Sequence, residues 1–272
     1  MLALRVLTVA VGAPLMLAAL YLGGLPWGLV LAGIVVWGSL ELGDIFAAKG
    51  VGRPRRDVLV VAGLAGVWMA PAVQALAGSR WAGAVALMLP ALAFGYAALR
   101  AWGRGSSVIY EASAAAFAFC YVGVLMGFWW LLRGLDGPGW RYGLLVLVGT
   151  WATDIGAFVV GRTVGHRRLL PKVSPAKTVE GAVGGILAGV LVTWLLARAA
   201  FGMPAWGAML LGLVTATGAE LGDLAESALK RDARVKDSGW LLPGHGGILD
   251  RMDSVLVAGP AAYLFLAAMG QL

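Results

Sequence analysis

Half of the fourteen acidic residues of this chain lie in one short window: Glu220, Asp223, Glu226, Asp232, Asp237, Asp250 and Asp253. With only 13% of residues charged, that concentration needs a cause. On a helix, Glu220, Asp223, Ser227 and Lys230 recur at steps of three or four and share one face, with Glu226 beside the stripe. Asp250 and Asp253 are likewise one turn apart, at the start of another apolar run. Two oxygen-rich faces can therefore meet across the connecting loop. Hard carboxylate oxygens suit Mg2+ or Mn2+, whereas His166 and His245 are too few for a histidine-based zinc site. The plainer reading is that these acids pair with Lys230, Arg231, Lys236 and Arg251 in a solvated loop.

Between the two faces lies Pro243-Gly244-His245-Gly246-Gly247, whose glycines would let backbone N–H groups come close to a phosphate. A glycine-rich loop is a weak signal alone. With Lys230, Arg231 and Lys236 on one side and Asp250, Arg251 and Asp253 on the other, it reads as a place for a polyphosphate and its metal. No GxxxxGK[ST] run and no GxGxxG after a strand occurs, which excludes a P-loop or Rossmann nucleotide site.

The elements that must position these residues are membrane helices. The 272-residue chain is 60% apolar, with a mean hydropathy of +0.85, far outside the range of soluble domains. Apolar runs of about 18 residues or more recur from end to end, each long enough to cross a hydrocarbon core of about 30 Å. The expected spans are 3–22, 27–46, 58–78, 81–99, 108–132, 142–162, 181–200, 205–229 and 254–270, an all-α polytopic fold of about nine transmembrane helices. The first run follows Arg5 but has no small-x-small cleavage pattern after it, so it reads as a span rather than a signal peptide. No soluble domain is embedded: 1–272 is one membrane domain, with helices of no recognised motif over 1–135 and the acidic signature over 142–270.

The net charge of +7 raises the question of a nucleic-acid partner, and its distribution answers it. Arg80, Arg133, Arg141 and Arg198 fall on one side of the expected spans, and the other 17 of the 21 lysines and arginines fall on the side of the N-terminus. This is the positive-inside pattern of a multi-pass protein in the inner membrane of a cell, with the N-terminus, 163–180 and 230–253 in the cytoplasm. It calls for an odd number of spans and for no nucleic acid. Gly185-x-x-x-Gly189 is expected to pack helices closely, and Trp27, Trp81, Trp102, Trp140 and Trp206 to sit at the interfaces. Cys120 is expected to be a small packing residue.

Ser227-Ala-Leu-Lys-Arg231, Lys236-Asp237 and Pro243-Gly-His-Gly-Gly-Ile-Leu-Asp-Arg-Met-Asp253 resemble the signature of the phosphatidate cytidylyltransferases, or CDP-diacylglycerol synthases. Asp154-x-Gly-Ala-Phe-x-x-Gly-Arg162, Pro171-Lys-Val-Ser-Pro-Ala-Lys-Thr-Val-Glu-Gly181 and Gly222-Asp223-Leu-x-Glu226-Ser227 are similar to the same family. Phe158 stands where an aromatic residue, often tyrosine, is usual, so no hydroxyl there is given a role. The resemblance covers about the C-terminal 40% of the chain; hydropathy alone supports the first five spans.

The resemblance implies cytidylyl transfer from CTP to phosphatidic acid, giving CDP-diacylglycerol and pyrophosphate at the bilayer surface, with Mg2+ as cofactor and Mn2+ as substitute. A phosphate monoester is already an anionic nucleophile, so catalysis must hold two anions together with metal and cationic side chains. On this reading Asp223 and Asp250 are the first choice as metal ligands, with Asp253 and Glu226 as further or outer ligands. Lys230, Arg231, Lys236 and Arg251 clamp phosphates beside the His245-Gly246-Gly247 backbone, with Asp237 in the same catalytic stretch and Ser227 at the substrate. His245 is either a general acid for pyrophosphate release or a structural residue of the turn. Lys177, with Ser174 and Thr178, holds the lipid phosphate or closes the opposite wall. Asp154 is either catalytic or an ion-pair partner of a cation such as Lys177, and Glu180 is open in the same way. Glu41, Asp44 and Glu111 have no motif support and are expected to hydrogen-bond between helices or to line a hydrated cavity. A homodimer stays open. An ion-coupled transporter would explain Asp154 and Glu220 but leave the phosphate-type signature idle. The spaced aspartates of a CDP-alcohol phosphotransferase, DG-x-x-AR, are absent.

Overall fold

A computed structural model describes residues 2–50, 52–77, 79, 82–102, 107–135, 139–239 and 246–270, with side chains from residue 10 onward. The helices run in the order α1 (Leu2–Leu22), α2 (Gly24–Ala48), α3 (Arg56–Ala75), α4 (Ala82–Ala101) and α5 (Val108–Phe117). A π-helical segment, Ala118–Val124, joins α5 to α6 (Leu125–Arg133) in one rod. There follow α7 (Gly139–Thr163), strands β1 (Arg168–Leu170) and β2 (Ser174–Thr178), then α8 (Val179–Phe201), α9 (Ala205–Asp232) and α10 (Leu249–Ala268). Among the described residues, α2, α3, α4, the α5–α6 rod, α7, α8 and α9 are long and apolar enough to cross a membrane. The remaining two long helices are α1, whose side chains are described from Ala10 onward, and α10, whose first turns carry Asp250, Arg251 and Asp253. The architecture is therefore that of a helical membrane protein. A small antiparallel hairpin, β1 with β2, lies between the expected spans 142–162 and 181–200, where the sequence predicts no strand.

The chain forms two compact units, Met1–Leu131 with Asp232–Asp250, and Leu132–Arg231 with Arg251–Leu272. In the first unit α3 and the π-helical segment touch backbone to backbone: a Cβ on Gly66 would strike the Phe119 carbonyl, and one on Gly123 the Gly63 carbonyl. Trp27 is almost fully buried, its indole N–H donating to the Trp129 carbonyl at 3.2 Å, so it is a core residue and not the interfacial one expected. Cys120 is exposed on the π-helical segment, which removes the packing role expected of it. Around Asp57 gather the Tyr96 hydroxyl at 2.9 Å and Arg100 at 2.6 Å, while Glu111 accepts the Arg55 backbone N–H.

In the second unit α7 and α8 pack through small residues, as the Gly185-x-x-x-Gly189 spacing predicts. A Cβ on Gly185 would lie 2.7 Å from the Thr153 carbonyl oxygen, and one on Gly189 would strike the Thr153 hydroxyl. Dispersion between such closely approaching backbones stands in for the hydrophobic effect, which lipid tails cannot supply. Gly202, at φ +64 with Pro204 after it, ends α8 in a left-handed cap that a Cβ would disfavour. Gly222 of α9 faces the Asp253 carbonyl of α10 with no room for a side chain, and Gly218 approaches Ala258 in the same way. The α9–α10 crossing thus brings Asp253 beside the acidic face of α9.

Candidate active site

The second unit assembles an acidic cluster around one lysine. Lys177, on β2, places its ammonium 2.8 Å from Glu220 Oε2 and 2.9 Å from Asp223 Oδ2. Burial alone would push the Lys177 pKa down, but Asp223 and Glu220 outweigh it and hold the group above its ordinary value of 10.5. The ammonium is charged at every physiological pH. Ser227, one turn on from Asp223, donates to Asp223 Oδ1 at 3.2 Å. Asp154 of α7 accepts from the Ser254 hydroxyl of α10 at 3.1 Å, so its partner is a hydroxyl and not the lysine. Asp253 lies within the electrostatic reach of both Asp223 and Asp154.

The shared face expected on α9 exists, but its C-terminal end is engaged. Glu226 is fully buried and meets Lys230 at 3.2 Å across one helical turn. A buried pair of this kind is costly to break, because either charge alone would be stranded. Arg231 donates from Nε to the Val173 carbonyl at 3.2 Å and ties the hairpin turn to α9. Thr178 is buried and caps α8, its hydroxyl oxygen accepting from the Gly181 N–H at 3.0 Å. Glu180 accepts the His166 and Arg167 backbone N–H groups at 3.0 and 3.1 Å, which holds the turn from α7 into β1. Ser174 opens β2 and is half-buried.

Beside Lys177 lies a cavity of about 640 Å3, lined by Phe158, Gly161, Arg162, Arg168, Thr178 and Glu220 among others. Ala157, Phe158 and Ala182 give its wall an apolar part, and on the same two helices, α7 and α8, Ile155, Val159, Val183 and Leu187 are exposed. Neither Arg162 nor Arg168 was expected from the sequence to have a role at the site. Arg162 closes one of the quoted stretches, a signal that could have marked it; Arg168 carries none.

In the first unit the signature segment is folded on itself. Asp250 Oδ2 accepts two backbone N–H groups, from Gly247 at 2.8 Å and from Ser238 at 2.9 Å. Gly246 adopts φ +82, and a Cβ there would lie 2.7 Å from Asp250 Oδ2. Only glycine satisfies both demands. The amide of Gly247 is thus bound to a carboxylate, where the loop reading had backbone amides facing a phosphate. Lys236 and Asp237 are exposed, as is Arg251 in the second unit, and Asp232 pairs with Lys49. Pro243, Gly244 and His245 lie outside the described residues.

Among the described residues no three acidic, cysteine or histidine side chains converge as a ready ligand set. The donor chemistry nonetheless fits a hard divalent cation. Glu220 and Asp223 contact Lys177, and Asp154 and Asp253 lie within electrostatic reach of Asp223, so the local excess of negative charge near a membrane favours a further cation.

A family model described as "Cytidylyltransferase family" matches residues 3–269 of the chain. The chain is 33% identical to a phosphatidate cytidylyltransferase of Synechocystis sp., over 97% of its own length and 96% of that protein. It is 45% identical to the phosphatidate cytidylyltransferase of Bacillus subtilis over 58% of its length and 59% of the relative. To that of Brucella suis it is 42% identical over 52% of each. These last two alignments thus span little more than half of the relatives they match.

Proposed function

The chain belongs to the cytidylyltransferase family, and on that premise we propose that it transfers the cytidylyl group of CTP to phosphatidic acid. A phosphate oxygen of the lipid attacks the α-phosphorus of CTP. The new P–O bond forms as the bond from that phosphorus to the bridging oxygen of the β-phosphate breaks, and the electron pair leaves with pyrophosphate. CDP-diacylglycerol is the lipid product.

The observation that carries this reading is the cavity beside Lys177, where cations and apolar surface adjoin. Arg162, Arg168 and Lys177 suit the headgroup phosphate of a lipid whose acyl chains lie along the exposed apolar faces of α7 and α8. Lys177 then bridges two tasks, neutralising the nucleophile and holding Glu220 and Asp223 in place. A bound Mg2+ or Mn2+ would neutralise the triphosphate of CTP and the charge that develops on pyrophosphate. Asp223 and Asp253 are the residues suited to hold it, and the family resemblance gives Asp250 the same duty. Glu226, buried against Lys230, is left out of that set.

This reading includes nine spans, with α1 and α10 crossing alongside the seven long apolar helices, and a cytoplasmic site in the inner membrane. The test is product analysis of purified protein given CTP, phosphatidic acid and Mg2+, with diacylglycerol as the control lipid. CDP-diacylglycerol and equimolar pyrophosphate are expected from phosphatidic acid alone. No CTP-dependent lipid product from an intact, folded preparation would refute the reading.

A further inference from the structure

Glu41 lies in α2 of the first unit, far in sequence from the signature, and is 5% exposed. A carboxylate so buried needs partners. Its Oε1 accepts the Ile248 N–H at 2.8 Å. Its Oε2 accepts the Leu249 N–H at 2.9 Å and the Ser238 hydroxyl at 3.0 Å. Two of these donors are backbone N–H groups at the start of α10, where a negative charge is favoured by the helix dipole and by amides that lack intrahelical partners. The third reaches back to the other end of the signature segment. Ser238 in turn donates its backbone N–H to Asp250 Oδ2 at 2.9 Å, and its hydroxyl oxygen accepts the Asp250 N–H at 3.3 Å. The neighbouring glycines are matched to this carboxylate: a Cβ on Gly239 would lie 2.7 Å from Glu41 Oε1, and one on Gly247 would strike Oε2.

We propose that Glu41 is the positioning residue of the signature segment: one carboxylate on α2 ties Ser238 and the first amides of α10 together and so fixes the Asp250 side chain. The signature supplies the chemistry, but its geometry is set by a residue about two hundred positions upstream. This rests on the reading that Asp250 serves cytidylyl transfer.

Both Glu41 oxygens accept hydrogen bonds, and the amide nitrogen of glutamine cannot accept one, so Glu41→Gln strands at least one donor while keeping the shape. For this variant in detergent, kcat is expected to fall by about tenfold or more, with KM for phosphatidic acid within about twofold. The Mg2+ concentration for half-maximal rate rises, and amide exchange at Ile248 and Leu249 quickens in the metal-free protein. Ser238→Ala removes a single bond of the same network and is the milder variant should Glu41→Gln fold poorly; its loss is expected in the same parameters and smaller. Asp44→Asn, one turn along α2 and paired with exposed Arg53, is the control and should leave all of them unchanged. Asp250→Asn separates the two ideas. A crippled Asp250→Asn beside Glu41→Gln and Ser238→Ala of normal kcat and Mg2+ dependence overturns the positioning role alone. A normal Asp250→Asn removes the role assigned to Asp250, and the positioning proposal falls with it.

Discussion

Replacing Lys177 with methionine removes a charge from the centre of the acidic cluster while keeping most of the aliphatic volume. The lysine side chain is 20% exposed, and those of Glu220 and Asp223 are 9% and 29% exposed. Breaking a fully buried pair costs about 3–5 kcal/mol, because the abandoned charge stays desolvated. Partial exposure here lowers the expected loss of stability to about 2–3 kcal/mol. The sign of the pH dependence follows from the raised pKa of Lys177. Its contribution is fully present below the ordinary value of 10.5 and is lost as pH rises through the higher folded value, so wild type and variant should converge only in strong alkali. Activity should suffer separately. If the ammonium also neutralises the lipid phosphate, losing one charge-assisted contact of about 2–3 kcal/mol lowers kcat/KM for phosphatidic acid by about 30- to 150-fold. Thermal unfolding in detergent across pH, paired with cytidylyl transfer on the same preparations, measures both. A variant as stable as wild type, with kcat/KM within about threefold, would refute the reasoning about this lysine.

Three further outcomes are expected. Single cysteines introduced within 163–180 and 230–239 in a Cys120→Ala background should react with impermeant thiol reagents from the cytoplasmic side alone; labelling from the opposite side would reverse the topology. Asp223→Asn and Asp250→Asn should each lower the rate by about a hundredfold or more across a Mg2+ titration, with EDTA abolishing wild-type activity and Mn2+ restoring it. Near-normal rates with unchanged Mg2+ dependence would remove both from the metal site. Arg162→Ala and Arg168→Ala should raise KM for phosphatidic acid about tenfold and leave KM for CTP unchanged, and the reverse pattern would move the lipid phosphate away from this cavity.

The helices were legible because a bilayer admits few alternatives: a span must be a run of about 20 apolar residues with every backbone group bonded internally. Each expected span corresponds to a helix, from α1 at 2–22 to α10 at 249–268. The close approach at Gly185 and Gly189 was legible for a similar reason, since small residues at that spacing have little other use between helices. The exceptions are local. The hairpin of 168–178 is too short to show a strand period, and Trp27 reads as an interfacial residue until a carbonyl of another helix is found against it.

The chemical inventory was also in the sequence: acids at 220, 223, 250 and 253, a lysine at 177, glycines at 246 and 247. Helical spacing fixed which of them share a face. What it could not fix was the choice of partner among residues brought together from distant segments. Lys177 meets Glu220 and Asp223 across 43 and 46 positions, where Asp154 was an equally reasonable partner on charge alone. Glu226 meets Lys230 within its own helix, which a face-sharing argument permits but does not require. Glu41, set among apolar residues with no motif around it, becomes intelligible only when α2 lies against the start of α10 and its carboxylate finds the Ser238 hydroxyl and two amides. Spacing along a helix is a property of local backbone geometry and is therefore written in the sequence. The pairing of buried charges depends on distance and desolvation between elements, and only the tertiary structure decides it.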